Sequence, residues 1–378
     1  MSLPTEEQTI LRDMANSWVS QHAPVSALRA LRDSGNELCL DPDTVSAVAQ
    51  MGWTGTLIPE VYGGSDVGYR AMGVVLEELG RTLVAAPLIS SAVGAVSALK
   101  NGANDTQKSA WLPAIANGSA IGALAIDETA HFAPQSIMLK AESSGSGYTF
   151  TGKKIMVHEG MSAHLLIVAA RTSGEDRDDG GVTLFAVPAK APGIHRIRRQ
   201  LLDSRGYADI TFAGTQVDGD AVLGTVDAGR DLLSHILDCA AAAVAAEALG
   251  VALQAFDTTL QYLKTRTQFG QLIGSFQALQ HRAAKMFTDI QLARPTVYAA
   301  LDALDAGAQG AAMAASHAKT TANELVHHIS REMIQMHGGI GMTDAYDAGF
   351  YIKRARALEA AFGTSSYHRE RYGRLHGI

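Results

Sequence analysis

The chain has 378 residues, 47% of them hydrophobic and 18% charged, so it is long enough to bury the cores of two or three domains. Its net charge of -7 argues against a nucleic-acid partner, although a helix N-terminus or a single arginine still binds phosphate locally. Two widely spaced cysteines, Cys39 and Cys239, exclude a disulfide framework and a cysteine metal cluster. We expect no metal site.

The first residues, Met1–Glu7, lack the basic and apolar regions of a signal peptide. The longest apolar run, Ala240–Ala246, is too short and too rich in alanine to span a membrane. We therefore expect a cytoplasmic protein.

Residues 1–118 carry a helical pattern and are predicted to form an N-terminal helical domain. Thr5 is a good N-cap for a first helix that runs to about His22. Asp43 is expected to open a second helix that ends at Gly52, and a third is predicted over Met72–Arg81.

Residues 119–225 change to the pattern of a compact sheet, with Gly, Ser and Asp clusters between short apolar runs. The predicted hairpin end and strands are Tyr148–Lys154, Leu165–Ala170, Val182–Val187 and Asp209–Phe212. We predict a central β-sheet or barrel domain here.

Residues 226–378 return to helical spacing. Four long helices with short joints suggest an antiparallel four-helix bundle. They are predicted over Asp231–Arg266, Phe276–Ala306, Gly310–His337 and Ala345–Ala361. The fold class is thus α+β, with helical, β and helical domains in that order.

Six motifs are spread along nearly the whole chain: Gly52-Trp53 with Pro59–Gly64, Glu77–Gly80, Arg205-Gly206 before Asp209–Phe212, Arg266–Gly270, Gln335–Gly341, and Phe362-Gly363-Thr364. Together they resemble signatures of the acyl-CoA dehydrogenase family. The resemblance implies the three-domain fold just described, usually assembled as a dimer of dimers. It also implies FAD-dependent oxidation of an acyl-CoA to the 2,3-enoyl thioester, in which a carboxylate takes the α-proton and the β-hydrogen leaves as hydride.

In this family each FAD lies across a subunit interface, and the neighbour's bundle contacts the pyrophosphate and adenosine. The resemblance assigns Arg266 to the pyrophosphate, with Gln268 and Phe269 beside it, and Gln335 with Gly338-Gly339 to a second contact. The alternative is that Arg266 forms a surface ion pair and that Gly338-Gly339 only ends a helix.

The half that holds the chain's own flavin departs from the family pattern. The Leu-Thr-Glu-Pro stretch reads Ala125–Thr129 here, and no Gly-Ser-Asp follows. The Trp-Ile-Thr run reads Met156-Val157-His158, so the indole and the hydroxyl are lost. Thr364 survives from a C-terminal flavin contact or simply caps a turn, and the role of His158 stays open.

The catalytic base is also missing at both positions that the family uses. The first carries Phe362 and the second, in the first long bundle helix, carries Ala240. Glu247 lies two turns after Ala240 on the same face and is the only plausible substitute base, but a buried or interface salt bridge is the expected role.

We therefore interpret the chain as the non-catalytic subunit of a heteromeric, FAD-dependent acyl-CoA dehydrogenase of lipid metabolism, in an α2β2 heterotetramer. Every lost group belongs to the chain's own flavin pocket, whereas the best-kept groups serve a neighbour. A second chain of the same family would bind most of the acyl-CoA. As the resemblance implies, such heteromers occur in actinobacterial steroid degradation, which suggests a steroid side-chain CoA thioester.

Two alternatives remain at this point. One is a homotetrameric flavoenzyme whose base has moved to Glu247, or whose chemistry is that of an oxidase or a hydroxylase. The other is an interaction protein that has kept the fold and binds no flavin.

Overall fold

The computed structural model describes residues 5–378. Met1–Pro4, where the absence of a signal peptide was predicted, lie outside the described part. The chain separates into two compact units, each discussed by itself. One unit takes in the chain up to Ala30, Tyr69–Val84 and Ala241–Ile378, and the other takes in Leu31–Gly68 and Ala85–Ala240. The predicted boundaries at residues 118 and 225 remain predictions.

The first unit is helical. The N-terminal helices that contribute to it are α1 (Glu6–His22), α2 (Val25–Asp33) and α4 (Gly68–Arg81), with α3 (Pro42–Gln50) in the other unit. The predicted cap of α1 is confirmed, because the Thr5 side chain accepts a hydrogen bond from the backbone of Gln8 in a capping box. Helix α4 begins four residues before the predicted start at Met72.

Five helices make up the C-terminal part of the chain: α7 (Arg230–Thr265), α8 (Gln277–Asp305), α9 (Ala311–His337), α10 (Ala348–Ala360) and α11 (Ser365–His376). The first four were predicted, with ends within three residues of those observed. Helix α11 was missed, because its Arg- and His-rich sequence has no broad apolar stripe.

Glu77 and Glu78 are buried on α4, and they explain why the motif over Glu77–Gly80 carries two acids. The Arg12 guanidinium donates to both carboxylates, at 2.8 and 2.7 Å, and the Tyr298 hydroxyl donates to Glu77 at 2.6 Å. Gly80 has no room for a side chain, since a Cβ there would lie 2.4 Å from the Glu247 carbonyl oxygen. The motif therefore ties α4 to α1, α7 and α8.

Among residues 5–378, the helix Arg230–Thr265 is the one long and apolar enough to cross a membrane by length and composition. We expected the apolar segment at Ala240–Ala246 to be too short to span a membrane. That expectation was wrong on length, because the helix around this run is long and apolar on both sides of it. However, 89% of the most apolar window is buried inside the protein. This burial is typical of a core helix.

The second unit contains α3, a π-helix (Leu88–Ala95), α5 (Val96–Gly102), α6 (Asp105–Ala116) and an eight-stranded sheet. Helix α3 begins at Pro42 and is capped by Asp41, whose side chain accepts from the Thr44 backbone, so the predicted start at Asp43 was one residue late. The helix ends at Gln50 rather than at Gly52, which adopts a left-handed conformation.

The sheet strands are β1 (Gly122–Ala125), β2 (Lys140–Ser144), β3 (Gly147–His158), β4 (Leu165–Arg171), β5 (Val182–Pro188), β6 (Ile194–Gln200), β7 (Gly206–Asp218) and β8 (Val222–Leu223). They run in the order β6-β7-β3-β2-β4-β5-β8, with β1 parallel to β4. Aromatic side chains of Phe150, Phe185 and Phe212 meet edge to face in its core. The edge strand β6 was not predicted, since three of its seven residues are arginines and it contains no apolar run.

Candidate functional site

The Arg266 motif forms a tight hairpin directly after α7. The backbone N–H of Arg266 still donates to Tyr262, and the Arg266 carbonyl accepts from Ile273, each at 2.9 Å. Short strands β9 (Thr267–Gln268) and β10 (Gln271–Leu272) pair through a turn in which Phe269 and Gly270 have φ of 53° and 78°. Positive φ at both central residues is typical of a type I′ turn, which explains the glycine.

The side chains of this hairpin face solvent. Arg266 and Gln268 are exposed, and Phe269 is 91% exposed. Within residues 5–378, no carboxylate forms an ion pair with the Arg266 guanidinium. The surface ion-pair alternative requires a carboxylate partner for this arginine, and the described part of the chain supplies none.

The Gln335 motif lies where α9 ends. Helix α9 stops at His337 because Gly338 takes φ of 65°, and a short 3-10 turn over Gly338–Met342 follows. Gln335, Gly338 and Gly339 are exposed, and a Cβ on either glycine would have open space around it. The backbone here is thus accessible to a bulky anion from outside.

Tyr262, which sequence reasoning missed, joins the two motifs. Its hydroxyl donates to the His337 carbonyl at 3.4 Å, and its ring centroid lies 4.3 Å from that of His337. His337 is held in turn, because its Nδ1 donates to the Met333 carbonyl and its Nε2 accepts from Tyr346. Burial lowers the His337 pKa, so the imidazole is neutral and its role is structural. The aromatic residue four positions before Arg266 was the available signal.

Apolar side chains are exposed on the same two segments. Besides Phe269, they include Leu272, Ile340 and Met342, the last of which is 77% exposed. Exposed apolar patches of this kind are typical of surfaces that another chain covers. The cation and the two glycines therefore lie within a surface suited to a protein partner.

Phe362 occupies one position of the family's base, in a turn that buried polar groups hold. Phe362 is 9% exposed, with φ of 52°, and its carbonyl accepts from His368 Nε2 at 2.9 Å. The Lys319 ammonium donates to Gly363 at 3.0 Å and to Leu358 at 2.9 Å. Thr364 caps α11, since its hydroxyl accepts from the Tyr367 backbone. The side chains of this turn contain no proton acceptor at the base position.

We predict that His368 makes the protein less stable as pH falls. Burial, then the Lys319 charge, lowers the His368 pKa to about 3, against an ordinary value near 6.5. Between these values the unfolded chain binds the proton and the folded chain does not, so the free energy of unfolding falls as pH drops through about 6.5. His368→Gln keeps a donor without a titrating group.

Urea unfolding of both proteins at about pH 7, 6 and 5 checks this prediction. The wild type should lose stability more steeply than His368→Gln, which provides the control for other carboxylates that protonate. Equal pH slopes would contradict it.

The other base position, Ala240, is fully buried on α7. Glu247, the proposed substitute, forms a bidentate ion pair with Arg354 of α10, at 2.7 and 2.8 Å, and both residues are buried. The expected buried salt bridge is thus observed. A carboxylate held by two guanidinium N–H groups is a poor general base, because the pairing favours its ionised, engaged form.

In the second unit, the stretch over Ala125–Thr129 is anchored by Lys154, which sequence reasoning did not connect to it. Lys154 is fully buried, donates to the Ile126 carbonyl at 3.0 Å and pairs with Glu128. Glu128 also accepts from the backbones of Met138 and Leu139, at 2.7 and 2.9 Å.

Asp127, between these anchored residues, has a buried Oδ1 with no hydrogen-bond partner among the described residues. Burial raises the pKa of this carboxyl to about 6, although the Lys154 charge opposes the shift. Further along, Met156 has φ of 54° in a β-bulge, and the ring of His158 packs edge-on against Tyr207 at 4.3 Å.

The residues described above can be compared with the two ends of FAD, the pyrophosphate and the flavin ring. Arg266 offers a guanidinium that no described carboxylate engages, and Gln268 and Gln335 offer exposed amides. Gly338-Gly339 leave the backbone open, and together these groups suit a pyrophosphate. Toward a flavin ring, the second unit offers the orphaned oxygen of Asp127, whereas the His158 ring is already packed on Tyr207. The phosphate end of FAD therefore fits the chain well. No group of three potential metal ligands occurs within residues 5–378.

Three family models match the chain: the N-terminal domain of acyl-CoA dehydrogenase over residues 5–119, the middle domain over 127–219 and the C-terminal domain over 227–375. The mitochondrial isovaleryl-CoA dehydrogenase of Pongo abelii is 31% identical over 377 residues, covering 98% of this chain and 88% of that protein.

Two solved structures are similar in sequence and fold. A chain of the Tcur3481-Tcur3483 steroid ACAD variant is 30% identical, with a TM-score of 0.89 and 98% of each chain covered. A chain of the ChsE4-ChsE5 complex from Mycobacterium tuberculosis is 25% identical, with a TM-score of 0.90, covering 100% of this chain and 99% of that one.

The comparisons cover the helical, β and helical parts of the predicted fold and confirm it. Members of the matched family are FAD-dependent flavoproteins. The chain belongs to the acyl-CoA dehydrogenase family of oxidoreductases.

Proposed function

We propose that this chain is the non-catalytic subunit of a heteromeric acyl-CoA dehydrogenase, in an α2β2 assembly with a second chain of the family. The observation that carries the proposal is a contrast between two sets of residues. Arg266, Gln268, Gln335, Gly338 and Gly339 are exposed, and Arg266 has no ion-pair partner within residues 5–378. Phe362 and Ala240, by contrast, are buried and stand where a base is needed. This contrast is what a chain needs if it completes a partner's flavin site.

In this proposal Arg266 binds the FAD pyrophosphate and Gln268 and Gln335 donate amide N–H groups beside it. Gly338 and Gly339 let a phosphate approach the backbone, and Phe269 packs at the interface. When bound, FAD supplies hydride acceptance from the β-carbon of an acyl-CoA. The partner supplies the carboxylate base and most of the acyl-CoA site.

The exposed apolar residues on the same segments support the existence of a covering chain. The names of the two similar structures, a steroid ACAD of two differently named chains and the ChsE4-ChsE5 complex, are consistent with a heteromer. The first name also mentions a steroid, which supports the steroid side-chain CoA thioester that we propose as substrate class. A cytoplasmic location is part of the same proposal.

The alternative with Glu247 as the base is opposed by its bidentate pair with Arg354, which occupies the carboxylate. The flavin-free alternative gives no role to Arg266, which is exposed and has no ion-pair partner in the described part of the chain.

The test is the FAD-to-chain ratio and the dehydrogenase activity of this chain, expressed alone and with a second acyl-CoA dehydrogenase-like chain. We expect little flavin alone, and one FAD per pair of unlike chains, with activity, after co-expression. One FAD per chain when expressed alone would overturn the proposal. No flavin in any complex would support the interaction-protein alternative.

A further inference from the structure

The second unit contains an open groove that no part of the proposed function uses. Its volume is about 430 Å³, within the range of small-molecule sites. Four segments form its walls: the loop that leads into α3 with the start of that helix, the turn between α6 and β1, the loop between β3 and β4, and the loop between β5 and β6 with the start of β6.

One side of the groove is apolar. Leu40, Val45 and Ile121 form a buried cluster beneath it, and Leu38 and Met161 add partly exposed apolar surface. An apolar body of a ligand would remove this surface from water, which is favourable in proportion to the area covered.

The other side is cationic. Lys190 and Arg196 line the groove, and no acidic side chain is among its lining residues. Arg196 is held firmly, because its Nη1 donates to the carbonyls of Gly160, Met161 and Ala163 at 3.0 to 3.2 Å. Within residues 5–378, neither cation forms an ion pair with a carboxylate. In a chain of net charge -7, two uncompensated cations on an apolar groove favour an anionic ligand.

His164 adds a donor of fixed orientation between the two sides. Its Nδ1 accepts the Ile121 backbone N–H at 3.1 Å, while the His164 backbone N–H donates to the Ile121 carbonyl at 2.8 Å. The proton of the neutral ring must therefore be on Nε2. Burial, then the charges of Lys190 and Arg196, lowers the His164 pKa, so the ring is neutral at pH 7.

We propose that this groove binds a small amphipathic carboxylate, with its apolar body over Leu40, Val45 and Ile121 and its anionic group at Lys190, Arg196 and His164. Charge-assisted hydrogen bonds from the two cations would fix the carboxylate, and the apolar floor would select for a hydrocarbon body. All of these residues belong to one unit of one chain, so the proposal does not depend on the partner subunit.

The test is isothermal titration calorimetry of the full chain with sodium octanoate, compared with 1-octanol, which has the same chain length and no charge. We expect saturable binding of one octanoate per chain. Octanol should bind about ten-fold more weakly, because a hydrogen bond to a charged group is lost. Absence of saturable octanoate binding, or equal affinity for both probes, would overturn the proposal.

Two variants locate the site. Lys190→Met should weaken octanoate binding about ten-fold, whereas the matched control Lys140→Met, an exposed lysine of β2 outside the groove, should leave it unchanged. Ser46→Trp places an indole on an exposed lining position and should abolish binding, with an unchanged melting temperature showing that the chain is folded. If octanoate binding is unchanged in both Lys190→Met and Ser46→Trp, octanoate binds elsewhere and the proposal is wrong.

Discussion

Arg266→Ala is expected to weaken FAD retention by the heteromeric complex by roughly ten- to hundred-fold. The guanidinium has no ion-pair partner within residues 5–378, so its removal costs the chain little internal stability. In the complex, however, a phosphate would lose a charge-assisted hydrogen bond worth about 1.5–3 kcal/mol. The measurement is the flavin absorbance that stays with the complex after gel filtration, over a series of dilutions.

Arg374→Ala is the matched control, since Arg374 is an exposed arginine in a long ion pair with Glu370 on α11, away from both motifs. Arg266→Lys should give an intermediate loss, because lysine keeps the charge but not the planar fork of donors. Flavin retention equal to that of the wild type in Arg266→Ala would count against the proposed function. That result would not bear on the proposed ligand site in the groove of the second unit, because the two sites share no residue.

Glu247→Ala is expected to lower the free energy of unfolding by about 3–5 kcal/mol. The substitution removes the two Glu247 carboxylate oxygens that accept from the buried Arg354 guanidinium of α10, at 2.7 and 2.8 Å in the native protein. Removal of one partner of a buried ion pair costs more than the pair contributes, so the effect is large although the net value of the ion pair is small. Urea or thermal unfolding measures it.

The double variant Glu247→Leu with Arg354→Met is the control. Because it removes both charges and fills the space with apolar atoms, its stability should return to within about 1–2 kcal/mol of the wild type. If Glu247 were instead the catalytic base, Glu247→Ala would abolish activity in the complex with little change in stability. Native-like unfolding of Glu247→Ala would therefore contradict the structural role assigned here.

The helices and most central strands could be predicted because their apolar periodicity is local. Helix α9 ends where Gly338 follows His337, and β4 and β5 appear as uninterrupted apolar runs. Helix α11 and the edge strand β6 could not be predicted in this way, since their charged sequences contain no apolar run or stripe. Their structure depends on what they pack against.

The candidate site shows the same division. The motifs identified Arg266, Gln335 and Phe362 as candidate site residues. They did not show whether each side chain is exposed or buried, or what it contacts. The aromatic residue before Arg266 was visible, but its contact with His337 was not, and neither was the contact of Lys319 with Gly363, because these contacts join residues 75 and 44 positions apart along the chain.

The sequence by itself determined the family, the order of helical and β regions and the loss of both base positions, because each depends on residue identity and on short-range spacing. Only the tertiary structure decided what the remaining charged groups do. It paired Glu247 with Arg354, left Arg266 without an ion-pair partner among residues 5–378 and placed Lys190 and Arg196 over an apolar groove. These outcomes depend on long-range distances and on burial, which set the strength of every electrostatic interaction and which the order of residues does not contain.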